Sequence, residues 1–223
     1  MSIVRMTDTL LTRYKNQIKK HHPFIVGIDG LGGAGKTTII KKLSEELEDK
    51  GYHVITIHID DHIVESSKRY NTGNEEWYEY YYLQWDINLL QLELFQALYD
   101  GKKLINLPYY NKSTDTVSIK QINITPTSII IIEGIFIQRQ EWRTYFDFVI
   151  FIDCPYKVRT ERVLNRDLYI GDYQSRLNKY QRRYWIAEEH YMKTENPLEK
   201  ADVIYEWFFN KTSNIFVLYF KLT

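Results

Sequence analysis

Residues 24–38 read FIVGIDGLGGAGKTT, and this stretch decides the fold. Residues 24–29 form a short apolar run typical of a buried strand, and residues 37–50 carry apolar side chains at helical spacing. Between them, residues 30–37 fit the pattern G-x-x-x-x-G-K-[ST]. A bare match can arise by chance, but a strand before the motif and a helix after it are the context it requires. The stretch therefore predicts a loop that binds nucleotide phosphates.

Each residue type in this loop has a physical role. Glycines let backbone N–H groups curl around phosphate oxygens, and the following helix directs its free N–H groups at the same anion. Lys36 is expected to neutralise the β- and γ-phosphates, and the Thr37 hydroxyl to ligate Mg²⁺. ATP and Mg²⁺ are the predicted cofactors. We assign ATP binding to Gly30, Leu31, Gly32, Gly33, Ala34, Gly35, Lys36, Thr37 and Thr38.

The rest of the chain alternates strand-like and helix-like segments, which favours βαβ units. Residues 52–59, 128–132 and 148–152 are predicted strands, and residues 75–99 are predicted to form one long helix. We therefore predict an α/β P-loop NTPase fold. Its mainly parallel five-stranded sheet is expected to carry helices on both faces and a helical lid.

The length of 223 residues suggests one domain, assigned to residues 1–223. Within it we expect an N-terminal helix at residues 5–20, where Leu10, Leu11, Tyr14 and Ile18 recur at helical spacing. The acceptor-binding region is placed at about residues 60–125 and the lid at about residues 155–180.

Carboxylates at strand ends supply the other expected functional groups. In open α/β sheets, ligands bind at the carboxyl ends of the strands, where Asp60, Asp61 and Glu133 stand. Asp60 is assigned as the base that accepts the acceptor's proton, with Asp61 as the alternative; Asp61 is equally able to cap the next helix. Glu133 is assigned to Mg²⁺ or its waters, the alternative being a bond to the loop backbone. Asp29 is interpreted as structural.

Three arginines share one face of a predicted lid helix. Arg159, Arg162 and Arg166 fall at i, i+3 and i+7. We predict that they stabilise negative charge on a transferring phosphoryl group as the lid closes and excludes water. The alternative is a solvated helix whose arginines pair with Glu161 and Asp167.

The composition excludes some partners. The 29 basic and 29 acidic residues cancel, so no global field favours nucleic acid or an anionic membrane. The first 20 residues lack the apolar core of a signal peptide, and no run approaches the length of a membrane span. The one cysteine, Cys154, suits a reducing compartment, so a cytoplasmic location is expected. Homo-oligomerisation stays open.

Taken together, these motifs resemble uridine kinase and related P-loop nucleoside kinases over about residues 24–202. The resemblance rests on the loop, Asp60, the phrase IIIIEGIF at residues 129–136 and the lid phrase Arg-x-x-Arg-x-x-x-Arg-Asp ending at Asp167. It implies a five-stranded parallel sheet, ATP and Mg²⁺ at the loop, and Asp60 as the base. Phosphoryl transfer would be to a hydroxyl of a nucleoside or similar small molecule.

The acceptor half departs from the family pattern. The family's Pro-x-Tyr-Asp phrase is altered here and contributes Tyr110. Asp115 and Val117 stand where the family has His and Arg, and His62 replaces an aromatic residue. A nucleoside, a vitamin precursor and a sugar therefore remain open as acceptors. We assign acceptor contacts to Asp60, Asp61, His62, Trp85, Tyr110 and Glu133.

Two functions compete for this pattern. The first is a small-molecule kinase, which uses the loop, the carboxylates and the lid together. The second is a nucleotide-binding switch or ATPase module without a small-molecule acceptor. ADP release that depends on an acceptor distinguishes the kinase from the switch.

Overall fold

A computed structural model describes residues 3–17, 21–210 and 215–222, with side chains through residue 206. A six-stranded sheet lies at its centre, in the order β2-β5-β1-β6-β7-β8, and a separate two-stranded sheet pairs β3 with β4. The strands are β1 (Phe24–Asp29), β2 (Val54–His58), β3 (Leu104–Asn111), β4 (Thr116–Asn123), β5 (Ile129–Glu133), β6 (Phe148–Asp153), β7 (Val203–Asn210) and β8 (Ile215–Leu222).

The predicted five-stranded parallel sheet is confirmed, and β8 adds an antiparallel sixth strand at its edge. Strands β1 and β5 are buried along their whole length because neighbours lie on both sides and helices cover both faces. Their register pairs Ile28 with Glu133, and β2 pairs His58 with the same Glu133. The carboxyl ends of these three strands therefore meet at one edge.

Helices cover both faces of the sheet, as predicted. One face packs on α1 and α2 through Leu10 and Leu43, and the other on the segment after α4 through Leu94 and Phe95. The helices are α1 (Ile3–Gln17), α2 (Lys36–Asp49), α3 (Ser66–Arg69), α4 (Glu76–Tyr82), α5 (Ile87–Leu90), α6 (Ala97–Tyr99), α7 (Tyr156–Arg166), α8 (Tyr173–Lys179), α9 (Trp185–Glu195) and α10 (Pro197–Lys200).

The prediction of one long helix over residues 75–99 is wrong. Helix α4 ends at Tyr82, and the chain restarts as α5, the π-helical turn Gln91–Gln96 and α6. Asp86 explains the restart, because its side chain accepts a hydrogen bond from Leu89 N at 3.0 Å and so caps the new helix. The break turns Trp85 into the core.

The predicted lid covers α7, the 3₁₀ turn Leu168–Ile170 and α8. The predicted N-terminal helix corresponds to α1, whereas residues 18–20, with Ile18, lie outside the described residues. Within the part of the chain that is described, no helix has both the length and the apolar character needed to cross a membrane.

Candidate active site

A cavity of about 900 Å³ opens at the edge where β1, β2 and β5 end. One wall is the glycine-rich loop, and the carboxylates Asp60, Asp61 and Glu133 line the cavity beside it. The lid contributes Arg162 and Arg166. The remaining wall is rich in tyrosines: Tyr70, Tyr80, Tyr110, Tyr169, Tyr180 and Tyr184.

The loop adopts a conformation that requires glycine. Gly33 has φ 76°, and a Cβ there would lie 2.8 Å from the Arg159 carbonyl oxygen. Gly35 has φ 95° and directly precedes α2, so the amino end of that helix faces the cavity. These features match the predicted phosphate cradle.

Seven of the nine predicted ATP-binding residues line the cavity, and two do not. Gly30 and Leu31 lie outside the lining, and their carbonyl oxygens accept bonds from Lys36 Nζ at 2.7 and 3.4 Å. The lining residues are Gly32, Gly33, Ala34, Gly35, Lys36, Thr37 and Thr38.

Asp60 and Asp61 lie on the 3₁₀ turn Ile59–His62 that follows β2, and both line the cavity. The Asp60 side chain is exposed to water in the cavity, but protein surrounds the cavity on its other sides. The partial loss of solvation in this surrounding raises the pKa of the Asp60 carboxyl. The positive charge of Lys36 acts in the opposite direction, and Glu133 and Asp61 reinforce the rise. A raised pKa is what a group that accepts a proton requires.

Glu133 fits a role in holding Mg²⁺. Its Oε1 accepts a bond from His58 Nδ1 at 2.7 Å, which raises the pKa of His58. Its Oε2 is buried without a hydrogen-bond partner among the described residues. No group of three or more His, Cys, Asp or Glu side chains is placed to hold a metal in the described ranges.

Two predicted acceptor contacts are contradicted, because both side chains lie in the core. His62 is buried and its Nδ1 lies 2.5 Å from the Pro108 carbonyl oxygen, and burial lowers its pKa. Trp85 is 2% exposed, and its Nε1 donates to the Ile59 carbonyl oxygen at 2.9 Å. Neither residue lines the cavity. Their two hydrogen bonds hold the turn Ile59–His62, which carries Asp60 and Asp61.

Tyr110 does line the cavity, as predicted. Its hydroxyl accepts a bond from Arg69 Nη2 at 3.1 Å and donates one to Asp115 Oδ1 at 2.9 Å. The residue lies on β3, in the hairpin that β3 forms with β4.

The three lid arginines do not act alike. Arg159 is buried outside the cavity lining and pairs with Glu188, the Nη1–Oε2 distance being 2.8 Å. Arg162 lines the cavity and donates to the Gly33 carbonyl oxygen at 3.2 Å. Arg166 lines it too and pairs with Asp167 at 2.7 Å, as the alternative interpretation anticipated. The predicted contact of Arg159 with a phosphoryl group is thus not supported.

Glu188 is a residue of the site for which the sequence analysis assigned no role. It comes from α9, lines the cavity, and accepts a bond from Gly32 N at 2.7 Å. Burial raises the pKa of its carboxyl, and Arg159 opposes that rise. Three residues later, the Tyr191 hydroxyl donates to Asp29 Oδ2 at 2.5 Å, so α9 supports the loop at two points. Asp29 is buried and structural, as interpreted from the sequence.

Known proteins resemble this chain in sequence and in fold. Residues 25–206 match the profile of the Phosphoribulokinase / Uridine kinase family. A uridine kinase from Borrelia duttonii is 34% identical over 153 residues, which cover 65% of this chain and 67% of that protein. A possible uridine kinase from Bacillus stearothermophilus is 40% identical in sequence. Its structure superposes with a TM-score of 0.71, covering 88% of this chain and 98% of that one.

A more distant structure shares the fold alone. The D-glycerate 3-kinase from Cryptococcus neoformans has a TM-score of 0.71 at 12% identity, with 99% of each chain covered. The family profile, in contrast, spans most of the present sequence and includes the loop, the strand-end carboxylates and the lid. The chain therefore belongs to the Phosphoribulokinase / Uridine kinase family, which confirms the prediction of a small-molecule kinase that uses ATP.

Proposed function

We propose that this chain transfers the γ-phosphoryl group of Mg²⁺-ATP to a hydroxyl of a small molecule held against the tyrosine wall. One observation carries the proposal: the glycine-rich loop, Lys36, Asp60 and Glu133 all line the same cavity. A loop alone would indicate only nucleotide binding. A carboxylate with a raised pKa beside it adds a group that can take the acceptor's proton.

The donor half holds and neutralises the triphosphate. The backbone N–H groups of the loop and the amino end of α2 bind phosphate oxygens, and Lys36 adds a positive charge. Thr37 and Glu133 would hold Mg²⁺ or its waters, and that ion supplies charge neutralisation between the phosphates. The buried, unpartnered Oε2 of Glu133 supports this assignment.

In the transfer step, Asp60 acts as the proton acceptor for an aligned hydroxyl. The acceptor hydroxyl gives its proton to the Asp60 carboxylate, and its oxygen bonds to the γ-phosphorus. The bond between that phosphorus and the bridging oxygen breaks, and ADP leaves with the electron pair. Asp61 also lines the cavity and remains the alternative base.

The lid contributes in two ways. Arg162 and Arg166 line the cavity, where they would stabilise charge on the transferring group. Arg159 acts as a positioning residue, because it holds Glu188 against the loop.

We also infer a cytoplasmic location from the single buried thiol, Cys154.

ADP release distinguishes this kinase from a nucleotide switch. The protein is incubated with ATP and Mg²⁺, alone and with a panel of nucleosides, vitamin precursors and sugars. Uridine is tested first because similar proteins are named uridine kinase. Release that rises with an acceptor supports the kinase. Release that is indifferent to every acceptor favours a switch or ATPase module.

A further inference from the structure

Arg69 is a buried cation in the lining of the cavity. It lies at the end of α3, is 6% exposed, and lines the cavity beside the tyrosine wall. Its Nε donates to the Val64 carbonyl oxygen at 2.8 Å and its Nη2 to the Tyr110 hydroxyl at 3.1 Å. Both of these partners are uncharged.

Within the part of the chain whose side chains are described, Arg69 differs from the other buried arginines. Arg139 pairs with Glu141, Arg159 with Glu188 and Arg183 with Glu79, with nitrogen–oxygen distances of 2.8 to 3.1 Å. Arg69 makes no such ion pair with a described carboxylate. Burying a charge is costly unless it is paired, so the exception requires an explanation.

The carboxylate nearest in this network does not fill that role. Asp115 is exposed, and its Oδ1 already accepts bonds from Ser66 N, the Ser66 hydroxyl and the Tyr110 hydroxyl. Arg69 is hydrogen-bonded to Asp115 only through Tyr110, although its positive charge is among the causes that lower the pKa of Asp115. Asp115 thus orients Tyr110 and leaves the guanidinium facing the cavity without a direct anion.

Two aromatic rings lie beside Arg69, and a second cation lines the same cavity. The Arg69 guanidinium lies 4.7 Å from the centre of the Tyr70 ring and 5.2 Å from that of Tyr110, which fixes its plane. Lys112 also lines the cavity and lies over the Tyr169 ring at 3.9 Å. Asp60 and Glu133 line the same cavity, and the cations that act most on the pKa of Asp60 are Lys36 and Arg166.

We propose that the acceptor carries an anionic group, a carboxylate or a phosphate, in addition to its reacting hydroxyl, and that Arg69 binds that group. A guanidinium offers two parallel N–H donors, which match the oxygens of such an anion. The hydroxyl then faces Asp60 while the anion lies against Arg69. This inference rests on the proposed kinase function and narrows the acceptor to molecules that carry an anionic group.

Identification of the product tests the inference directly. The full chain is incubated with Mg²⁺, ATP labelled in its γ-phosphoryl group, and a protein-free metabolite extract, and labelled products are identified by mass spectrometry. We expect a labelled product with a further acidic group, and fragmentation tells a carboxylate from a phosphate. A labelled product whose acceptor is uncharged, such as a nucleoside, overturns the inference but leaves the kinase. Label found only in inorganic phosphate overturns both.

Variants of Arg69 test the residue itself with the acceptor so identified. Arg69→Gln should raise the KM for that acceptor by about 10- to 100-fold and leave the KM for ATP within about twofold. Arg69→Lys, which keeps the charge, should recover part of the loss.

The matched control is Lys68→Gln on the same helix. Lys68 is exposed and pairs with Glu65, so its loss should leave both KM values within about twofold. A normal acceptor KM in Arg69→Gln would remove Arg69 as the anion site. Thermal unfolding of each variant is measured in parallel. If Arg69→Gln fails to fold, Arg69→Lys takes its place: a lysine cannot make the two parallel contacts, so its acceptor KM should rise while its KM for ATP stays normal. An acceptor KM in Arg69→Lys equal to that of Lys68→Gln would then decide against Arg69 as the anion site.

Discussion

Glu188 Oε2 lies 2.8 Å from Arg159 Nη1, and both side chains are buried. The other carboxylate oxygen of Glu188 accepts the Gly32 N–H at 2.7 Å, so this ion pair joins the lid helix α7 to the phosphate-binding loop through α9. Arg159 completes the connection by donating to the Gly32 carbonyl oxygen at 3.2 Å. Both the N–H and the carbonyl oxygen of Gly32 are therefore hydrogen-bonded to this ion pair.

Replacing Glu188 should destabilise the fold strongly. Glu188→Ala leaves the buried Arg159 without its anion, which costs about 3 kcal/mol in the free energy of unfolding, measured by urea denaturation. The control is Glu189→Ala, because Glu189 is exposed and pairs with the exposed Lys193. Its loss should cost less than about 1 kcal/mol. Equal effects of the two variants would contradict the role given to Glu188.

Lys36→Ala should weaken ATP binding by about 10- to 100-fold, because a charge-assisted contact to the phosphates is lost. Titration calorimetry with ATP and Mg²⁺ measures the dissociation constant. Lys41→Ala, on the exposed side of the same helix, serves as the control and should bind ATP normally. Normal ATP affinity in Lys36→Ala would place the phosphates elsewhere.

Asp60→Asn should lower kcat by about 10²- to 10⁴-fold, because the hydroxyl loses its proton acceptor. The KM for ATP should stay close to that of the parent, since Asp60 is not assigned to the nucleotide. Asp61→Asn is the discriminating comparison, because both side chains line the cavity. If Asp61→Asn loses the activity and Asp60→Asn keeps it, the two assignments are exchanged.

The raised pKa of Asp60 gives two pH effects with defined signs. Activity needs the carboxylate, so kcat/KM should fall with acid at a pH above the ordinary aspartate pKa. The free energy of unfolding changes in the opposite sense. Because the folded-state pKa of Asp60 is raised, the folded protein favours the protonated carboxyl, and the stability that this form contributes is lost as the pH rises through the folded-state pKa. Asp60→Asn should therefore have the higher melting temperature at pH 7. This advantage should vanish at a pH below the unfolded-state pKa of the carboxyl.

Glu133→Gln should raise the Mg²⁺ concentration for half-maximal activity by about 10-fold, because one oxygen of the predicted Mg²⁺ site loses its charge. Thr37→Ala should act in the same direction, whereas Thr37→Ser keeps the hydroxyl and should resemble the parent. Steady-state rates over a Mg²⁺ titration at saturating ATP provide the measurement. An unchanged Mg²⁺ requirement in both Glu133→Gln and Thr37→Ala would refute the assignment.

The donor half of the site was predictable because its signals are local in the chain. The glycine pattern fixes a backbone shape, and strand-end positions bring Asp60 and Glu133 to the same edge as the loop. The parallel sheet followed from the same apolar runs.

The remaining errors arise from contacts between distant segments. Spacing placed Arg159 on the face of Arg162, but its partner Glu188 lies 29 residues later on another helix. Of the aromatic side chains in residues 77–85, Tyr80 alone lines the cavity. The break between α4 and α5 sends Trp85 into the core, and helical periodicity carries no sign of it apart from the capping Asp86.

The hairpin β3–β4 forms a sheet of its own, and its ladder shares no strand with the central sheet. It nevertheless supplies Tyr110 and Lys112 to the lining of the cavity. If the proposed acceptor site is right, sequence changes in the hairpin alter acceptor preference while the strands that support the phosphate-binding loop stay unchanged. Substitutions near Glu188 would disturb the phosphate-binding loop, because Glu188 on α9 is hydrogen-bonded to Gly32. Relatives that diverge in what they phosphorylate should accordingly differ most in their hairpins.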